Sequence, residues 1–387
     1  MNYNNTAQAM LQLIRCALHS IPPQPLGGID YEQLYKLCAF HSVESIVAMA
    51  LESGGLLTEE YADPACIKRW KDAKLTSAVK VVLLDTERKE IFRYFEEQGI
   101  WYLPLKGILL KDMYPKLGMR QMADNDILFD KAYRHKLKDY MESRGYQAWS
   151  FQQGNHDVYL KPPVYNFEFH ADLFPEDLYF QWTGSNEDLK GKLKKDPENR
   201  FGYHFSDEDF YIHLLLHGHK HYKHASGIGI RLLIDIFVFL SKKEETLDWE
   251  YVNRELAAVQ VQAFESNVKA LAQEIFQKDA ENALIEGDFL ESLLISGTYG
   301  TFSNRIHNSL QNIQEEKNLS KGKAKLYYFW KRVFPGKNCI MHRYPFCRRH
   351  PWSIPFGWFL RLISTVFLSG KNIWKEIKEF RKISKSS

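Results

Sequence analysis

Asp124 and Asp126 stand one residue apart, immediately ahead of the apolar run Ile127-Leu128-Phe129. Alternate residues of a β-strand share a face, so both carboxylates project from the same side. Two anions this close are unfavourable in a poorly hydrated site unless a cation lies between them, and Mg²⁺, which takes hard oxygen ligands, answers that need. A third carboxylate follows in Val164-Tyr165-Asn166-Phe167-Glu168-Phe169-His170-Ala171-Asp172. Strict alternation there puts Phe167 and Phe169 on one face and Glu168, His170 and Asp172 on the other. Three carboxylates on adjacent strands can hold two Mg²⁺ ions, or Mn²⁺ in their place. One would position a nucleoside triphosphate and the other would lower the pKa of an attacking hydroxyl.

The segment ahead of the acids fits the same chemistry. Ile100 to Leu105 reads as a short buried strand, Lys106-Gly107 as a tight turn, and Ile108 to Tyr114 as the start of a helix. A strand, a glycine turn and a helix N-terminus make a phosphate cradle: Gly107 lets the backbone approach, the first helical N–H groups point at the ligand, and Lys106 adds a positive charge. Arg120, four residues before Asp124, offers a bidentate clamp for phosphate oxygens.

The order Leu105-Lys106-Gly107, Tyr114-Pro115, Gly118-x-Arg120, Asp124-x-Asp126-Ile127-Leu128 and Glu168-x-His170 resembles the uncharacterised nucleotidyltransferase family of the DNA polymerase β-like superfamily. The likeness covers about residues 95 to 175 well. It continues more loosely through His217-x-x-Lys220-His221 and Arg231-Leu232-Leu233-Ile234-Asp235. It implies an α+β fold, with a small mixed sheet carrying the acids, helices flanking it, and N-terminal and C-terminal helical regions added. The implied reaction moves a nucleoside monophosphate from a triphosphate to a hydroxyl acceptor and releases pyrophosphate. The acceptor could be a sugar, a small molecule, a protein side chain or an RNA end. By the family pattern Asp124, Asp126 and Glu168 are the metal triad, Lys106, Gly107 and Arg120 bind the nucleotide, and His217, His221 and Asp235 shape the pocket. Two departures stand out. Lys106-Gly107-Ile108 occupies the turn where the superfamily usually has Gly-Ser, and Asn125 sits where an apolar residue is usual. Both leave open a catalytically weak nucleotide-binding module.

The 387 residues, 45% hydrophobic and 26% charged, suit a globular chain long enough for more than one domain. The pattern divides into a helical region 1–98 packing on the core, a nucleotidyltransferase core 99–204, a helical domain 205–320 and a basic aromatic region 321–387. A long helix is expected from about 67 to 98, with Val79, Val82, Leu83, Ile91, Phe92 and Tyr94 among its sheet-facing positions. Beyond Asp126 come a helix from about 131 to 144, strands near 146–152 and 156–160, and helices from about 206 to 283. The first residues carry neither a basic nor an apolar leader segment, so a cytoplasmic location is expected. Five cysteines in a chain of this length read as reduced core thiols.

His213, His217, His219, His221 and His224 include i, i+4 pairs, but no His-Glu-x-x-His accompanies them, and helix packing or phosphate contact is expected ahead of zinc. Cys339-x-x-His342 and Cys347-x-x-His350 have ligand spacing, yet the link between the pairs is short and arginines flank it, which opposes a metal. Between Lys321 and Ser387 basic residues interleave with Tyr327, Trp330, Trp352, Trp358 and Trp374. Arg361 interrupts the apolar run from Pro351 to Gly370, so contact with an anionic membrane surface fits better than a span. Such a region alone could make the chain a membrane-peripheral interaction protein. The formal charge of +3 gives no case for general nucleic-acid binding.

Overall fold

In a computed structural model the described residues are 3–174, 179–184, 186–225, 227–280, 287–298, 300, 302–337, 340–341 and 344–362. They divide into two compact units, the first made of residues 1–219 and 229–298 and the second of residues 220–228 and 299–387.

The first unit begins with three helices, α1 (Tyr3–Leu18), α2 (Tyr31–His41) and α3 (Glu44–Ser53), followed by a 35-residue helix, α4 (Pro64–Gln98). Local sequence sets both ends of α4. The Asp63 carboxylate accepts from the Ala65 and Cys66 amides and Pro64 supplies a preset φ at the first turn, while Gly99 closes the helix in the left-handed conformation at φ 69°. The chain then enters a five-stranded sheet of β1 (Tyr102–Pro104), β2 (Asn125–Phe129), β3 (Gln147–Ser150), β4 (His156–Lys161) and β5 (Tyr165–His170). The strand order is β1-β2-β5-β4-β3, with β2 and β5 parallel and every other pair antiparallel. A short α5 (Gly107–Leu110) follows β1, and α6 (Arg134–Ser143) follows β2. This is the α+β arrangement, a small mixed sheet with flanking helices, that the sequence implies.

One face of the sheet is the core. Ile127, Phe129, Tyr159, Phe167 and Phe169 cluster with Val81, Leu84, Ile91 and Phe95 of α4 and with Leu137 and Met141 of α6. Phe95 lies 6.1 Å from Phe129 and 6.0 Å from Phe169, ring centre to ring centre. The buried stripe of α4 is therefore 81, 84, 88, 91 and 95. Val79 and Val82, expected to face the sheet, are 48% and 52% exposed. They lie off the stripe by one or two residues, and each residue turns a helix by about 100°.

Among the described residues the first unit continues with α7 (Phe180–Thr183), α8 (Asn186–Lys192), α9 (Asp207–His224), whose last residues belong to the second unit, α10 (Arg231–Lys243), α11 (Trp249–Ala258), α12 (Gln262–Phe276) and α13 (Asp288–Ser296). Leu233, Ile236, Phe239 and Leu240 of α10 are buried, and α10 packs on α12. In the second unit α14 (Phe302–Lys317) packs on α15 (Lys321–Val333), and Ile340, Cys347 and Ile354 form a small core. Among the described residues no helix is long and apolar enough to cross a membrane. Cys16, Cys38, Cys66 and Cys347 are free thiols. Cys339 and His342 lie outside the described residues, as does the run from 363 onward.

Candidate active site

The face of the sheet opposite the core carries the polar groups. Parallel pairing sets Asp126 directly beside Glu168 and Leu128 beside His170, while antiparallel pairing sets His156 beside His170 and Val158 beside Glu168. Period-two alternation thus gathers Asp126, Glu168, His170 and His156 on one surface. Asn125 points the other way. It is fully buried, and its Oδ1 accepts from Arg88 Nη1 of α4 at 2.8 Å. The polar residue beneath the acids thus has a charged partner, which offsets much of the cost of burying an amide. Arg88 reaches Asp85 as well, at 2.6 Å, and Asp85 pairs with Lys111 at 2.9 Å.

Asp126 is 5% exposed and its Oδ1 takes two partners, Lys106 Nζ at 2.9 Å and His170 Nε2 at 2.8 Å. Burial opposes its charge, yet Lys106 and His170 outweigh burial and hold the carboxyl well below the usual carboxylate range. Asp124 behaves oppositely. Burial, followed by the neighbouring charge of Asp126, raises its pKa against the pull of Lys106, Arg231 and Arg120. For His170 burial dominates and lowers the imidazole to about 4, so it is neutral at pH 7.

The turn that delivers Lys106 is unusual. Lys106 has φ 45° and ψ −114°, and the Ile108 amide donates to the Leu105 carbonyl at 3.2 Å. That geometry is close to a type II′ turn, whose second residue is normally glycine. A lysine there stores about 1–3 kcal/mol of backbone strain. Its functional return is an ammonium aimed at Asp126. Lys106→Gly and Lys106→Met both remove the charge, but only glycine relaxes the turn. The glycine variant should therefore unfold later in urea than the methionine variant, by about 1–2 kcal/mol after allowing for the entropy of glycine. Coincident urea transitions would show the turn to be unstrained.

The phosphate cradle expected at this turn takes a different form. α5 has four residues, and the Ile108, Leu109 and Leu110 amides already donate to Leu105 and Lys106 carbonyls. Arg120 is turned to Asp235: its Nε and Nη2 donate to the two carboxylate oxygens at 2.8 and 2.9 Å, and Tyr114 Oη donates to Oδ1 at 2.7 Å. Gly107 makes room for that clamp, since a Cβ there would lie 2.3 Å from Arg120 Nη1. Two other cations interact with Asp124. Arg231 of α10, whose hydrogen bond among the described residues goes to the Gln121 carbonyl at 2.6 Å, has its pKa lowered by burial and then by Arg120. Lys80 of α4, lowered by burial, lies 3.4 Å from the Ala123 carbonyl. Neither basic residue is marked by local sequence, because each reaches the site from a helix distant in the chain.

Among the described residues the compact ligand group is His156, Glu168 and His170, with one donor atom of each within 4.8 Å of the others. Of the expected metal triad only Glu168 belongs to it; Asp124 and Asp126 stand outside. Of the histidines in α9, His213 packs on the rings of Phe174 and Phe205, and His219 is hydrogen-bonded to Tyr179 Oη at 2.7 Å.

A family model described as uncharacterised nucleotidyltransferase matches residues 27–277, nearly two thirds of the chain and the whole of this sheet. The chain belongs to that family. No curated protein and no solved structure matches it. As the family's description is of an uncharacterised activity, nucleotidyl transfer is its general chemistry, and the substrates must be argued from the site.

Proposed function

We propose that this nucleotidyltransferase family member is a Mg²⁺-dependent enzyme that moves a nucleoside monophosphate from a nucleoside triphosphate to a hydroxyl acceptor and releases pyrophosphate. The observation that carries the reading is the register of β2 and β5, which sets Asp126 beside Glu168, with the Lys106 ammonium on Asp126 as an internal counter-ion. The Lys106 ammonium shows that this carboxylate face attracts a cation, and oxygen ligands of this kind suit a hard divalent ion that takes the place of Lys106. Asp124, Asp126 and Glu168 would hold such ions, which when bound orient the triphosphate and acidify the acceptor hydroxyl. Lys106, displaced from Asp126, would neutralise phosphate charge, with Lys80 and Arg231 as further donors on the same side. Arg120 would act by fixing the turn at Gly107. Glu168, with 23% of its side chain exposed, can take the acceptor proton.

The test is pyrophosphate release and binding of labelled ATP, GTP, CTP and UTP with Mg²⁺ or Mn²⁺, for the wild type and for Asp124→Ala/Asp126→Ala. Metal-dependent release that the double substitution abolishes is the expected result. Metal-dependent binding without turnover, across a panel of sugar, peptide and RNA acceptors, would favour the weak binding module. Absence of metal-dependent binding would overturn the site.

A second reading concerns the other unit. Leu326, Trp330, Trp352 and Phe359 are 73%, 62%, 82% and 58% exposed within a basic stretch. Exposed aromatic residues among lysines and arginines suit the interface of an anionic membrane. Cosedimentation with phosphatidylserine liposomes should fall at least about tenfold on removal of residues 321–387 and weaken with salt, since screening shortens the reach of surface charge. Equal sedimentation of the full and shortened chains would remove this reading.

A further inference from the structure

His156 and His170 are more than neighbours of the acids. His156 Nδ1 lies 3.2 Å from Asn155 Oδ1, and the same Asn155 donates its Nδ2 to the Asp172 carbonyl at 3.2 Å. That second bond fixes which end of the amide faces the histidine. Because Asn155 presents an acceptor, Nδ1 of a neutral His156 must carry the proton, and Nε2 carries the lone pair. His156 Nε2 faces Glu168 Oε2 at 3.5 Å. His170 repeats the pattern. Its Nε2 donates to Asp126 Oδ1 at 2.8 Å, and its Nδ1 is buried with no hydrogen-bond partner among the described residues. An oxygen acceptor on one ring nitrogen of each histidine is the outer-shell arrangement that orients metal-binding histidines.

We propose that His156, Glu168 and His170 form a site for a divalent ion of the Zn²⁺ class, distinct in preference from the Mg²⁺ expected at Asp124 and Asp126. Each of the three residues offers a donor atom within 4.8 Å of the others, and closing on one ion at about 2.0–2.2 Å from each ligand draws those atoms nearer together. Two imidazoles and one carboxylate select zinc, cobalt or nickel over the hard-oxygen ions, and three protein ligands leave a position open. The site stands on geometry alone. Its role rests on the nucleotidyltransferase reading: an ion here would be the acceptor-side ion, with Glu168 shared between the two and Asp126 acting on it through His170.

The experiment uses the untagged full chain, dialysed free of metal and titrated with Zn²⁺ and, for its visible spectrum, with Co²⁺ in the presence of millimolar Mg²⁺. One equivalent of each is expected, with a Co²⁺ spectrum of a nitrogen-containing site of low coordination number. His156→Asn should weaken Zn²⁺ at least about tenfold, and Glu168→Gln likewise. Asp124→Ala, outside the group, should leave Zn²⁺ affinity unchanged within about twofold. Circular dichroism checks that each variant is folded. Zn²⁺ binding that is indifferent to His156 and Glu168, or that Mg²⁺ displaces, would overturn the site. Histidine-dependent Zn²⁺ binding in a protein that transfers no nucleotide would support the site and overturn its assigned role.

Discussion

Asp126→Asn should lower nucleotide turnover at least about a thousandfold, equivalent to about 4 kcal/mol of activation barrier. The amide keeps the size of the side chain and an oxygen that can still accept from Lys106 or His170, whose contacts with Asp126 are 2.9 and 2.8 Å. What it loses is the negative charge. In a site this dry, charge and not shape decides whether a divalent ion is held. Fold and activity can therefore be separated: the urea transition should move far less than the rate. Pyrophosphate release within twofold of wild type would show that Asp126 is a structural acid whose partner is Lys106.

Asp235→Ala should cost about 3–5 kcal/mol of stability, a large part of what a domain has. Arg120 has 11% of its side chain exposed and gives two donors to Asp235, and the Tyr114 hydroxyl gives a third. Removing the carboxylate leaves a buried guanidinium without its counter-charge and a buried hydroxyl without its acceptor. Asp235→Asn retains an oxygen for Tyr114 and should fall between wild type and alanine. Arg120→Met/Asp235→Leu, which removes both charges, should recover most of the loss, because a buried pair is worth little net of its desolvation. A double-mutant cycle with no coupling between Arg120 and Asp235 would mean that the clamp does not form. The effect on catalysis should follow the fold, since Arg120 packs against the turn at Gly107 and so holds Lys106 in place.

Part of the acid arrangement was legible: alternation in 164–172 put Glu168 and His170 on one face, and the sheet places Asp126 and Glu168 side by side, while Asp124 lies ahead of β2 and Asp172 beyond β5. Partners distant in sequence were not. Arg120 reads as a free clamp until α10 brings Asp235 to it from 115 residues away, and Arg88 carries no local sign that it will support Asn125. His156 was missed for a related reason. Its strand was expected, but its face becomes meaningful only once β4 is known to pair with β5. The stripe of α4 was read with the right period and the wrong phase at Val79 and Val82, since a helix with several apolar residues per turn permits more than one phase. Gly107 kept its importance and changed its reason: it admits Arg120.

The pairing of β2 with β5 also governs which changes in chain length this protein can survive. Adding or deleting one residue within 125–129 or 165–170 exchanges the two faces of that strand, sending Asp126 or Glu168 among Phe95, Phe129 and Phe169 and bringing a phenylalanine or isoleucine to the polar side. The same event in the loop between β3 and β4 disturbs neither pairing register. The centre therefore works as a parity device: a single-residue slip within either strand undoes it, whatever the residues around it.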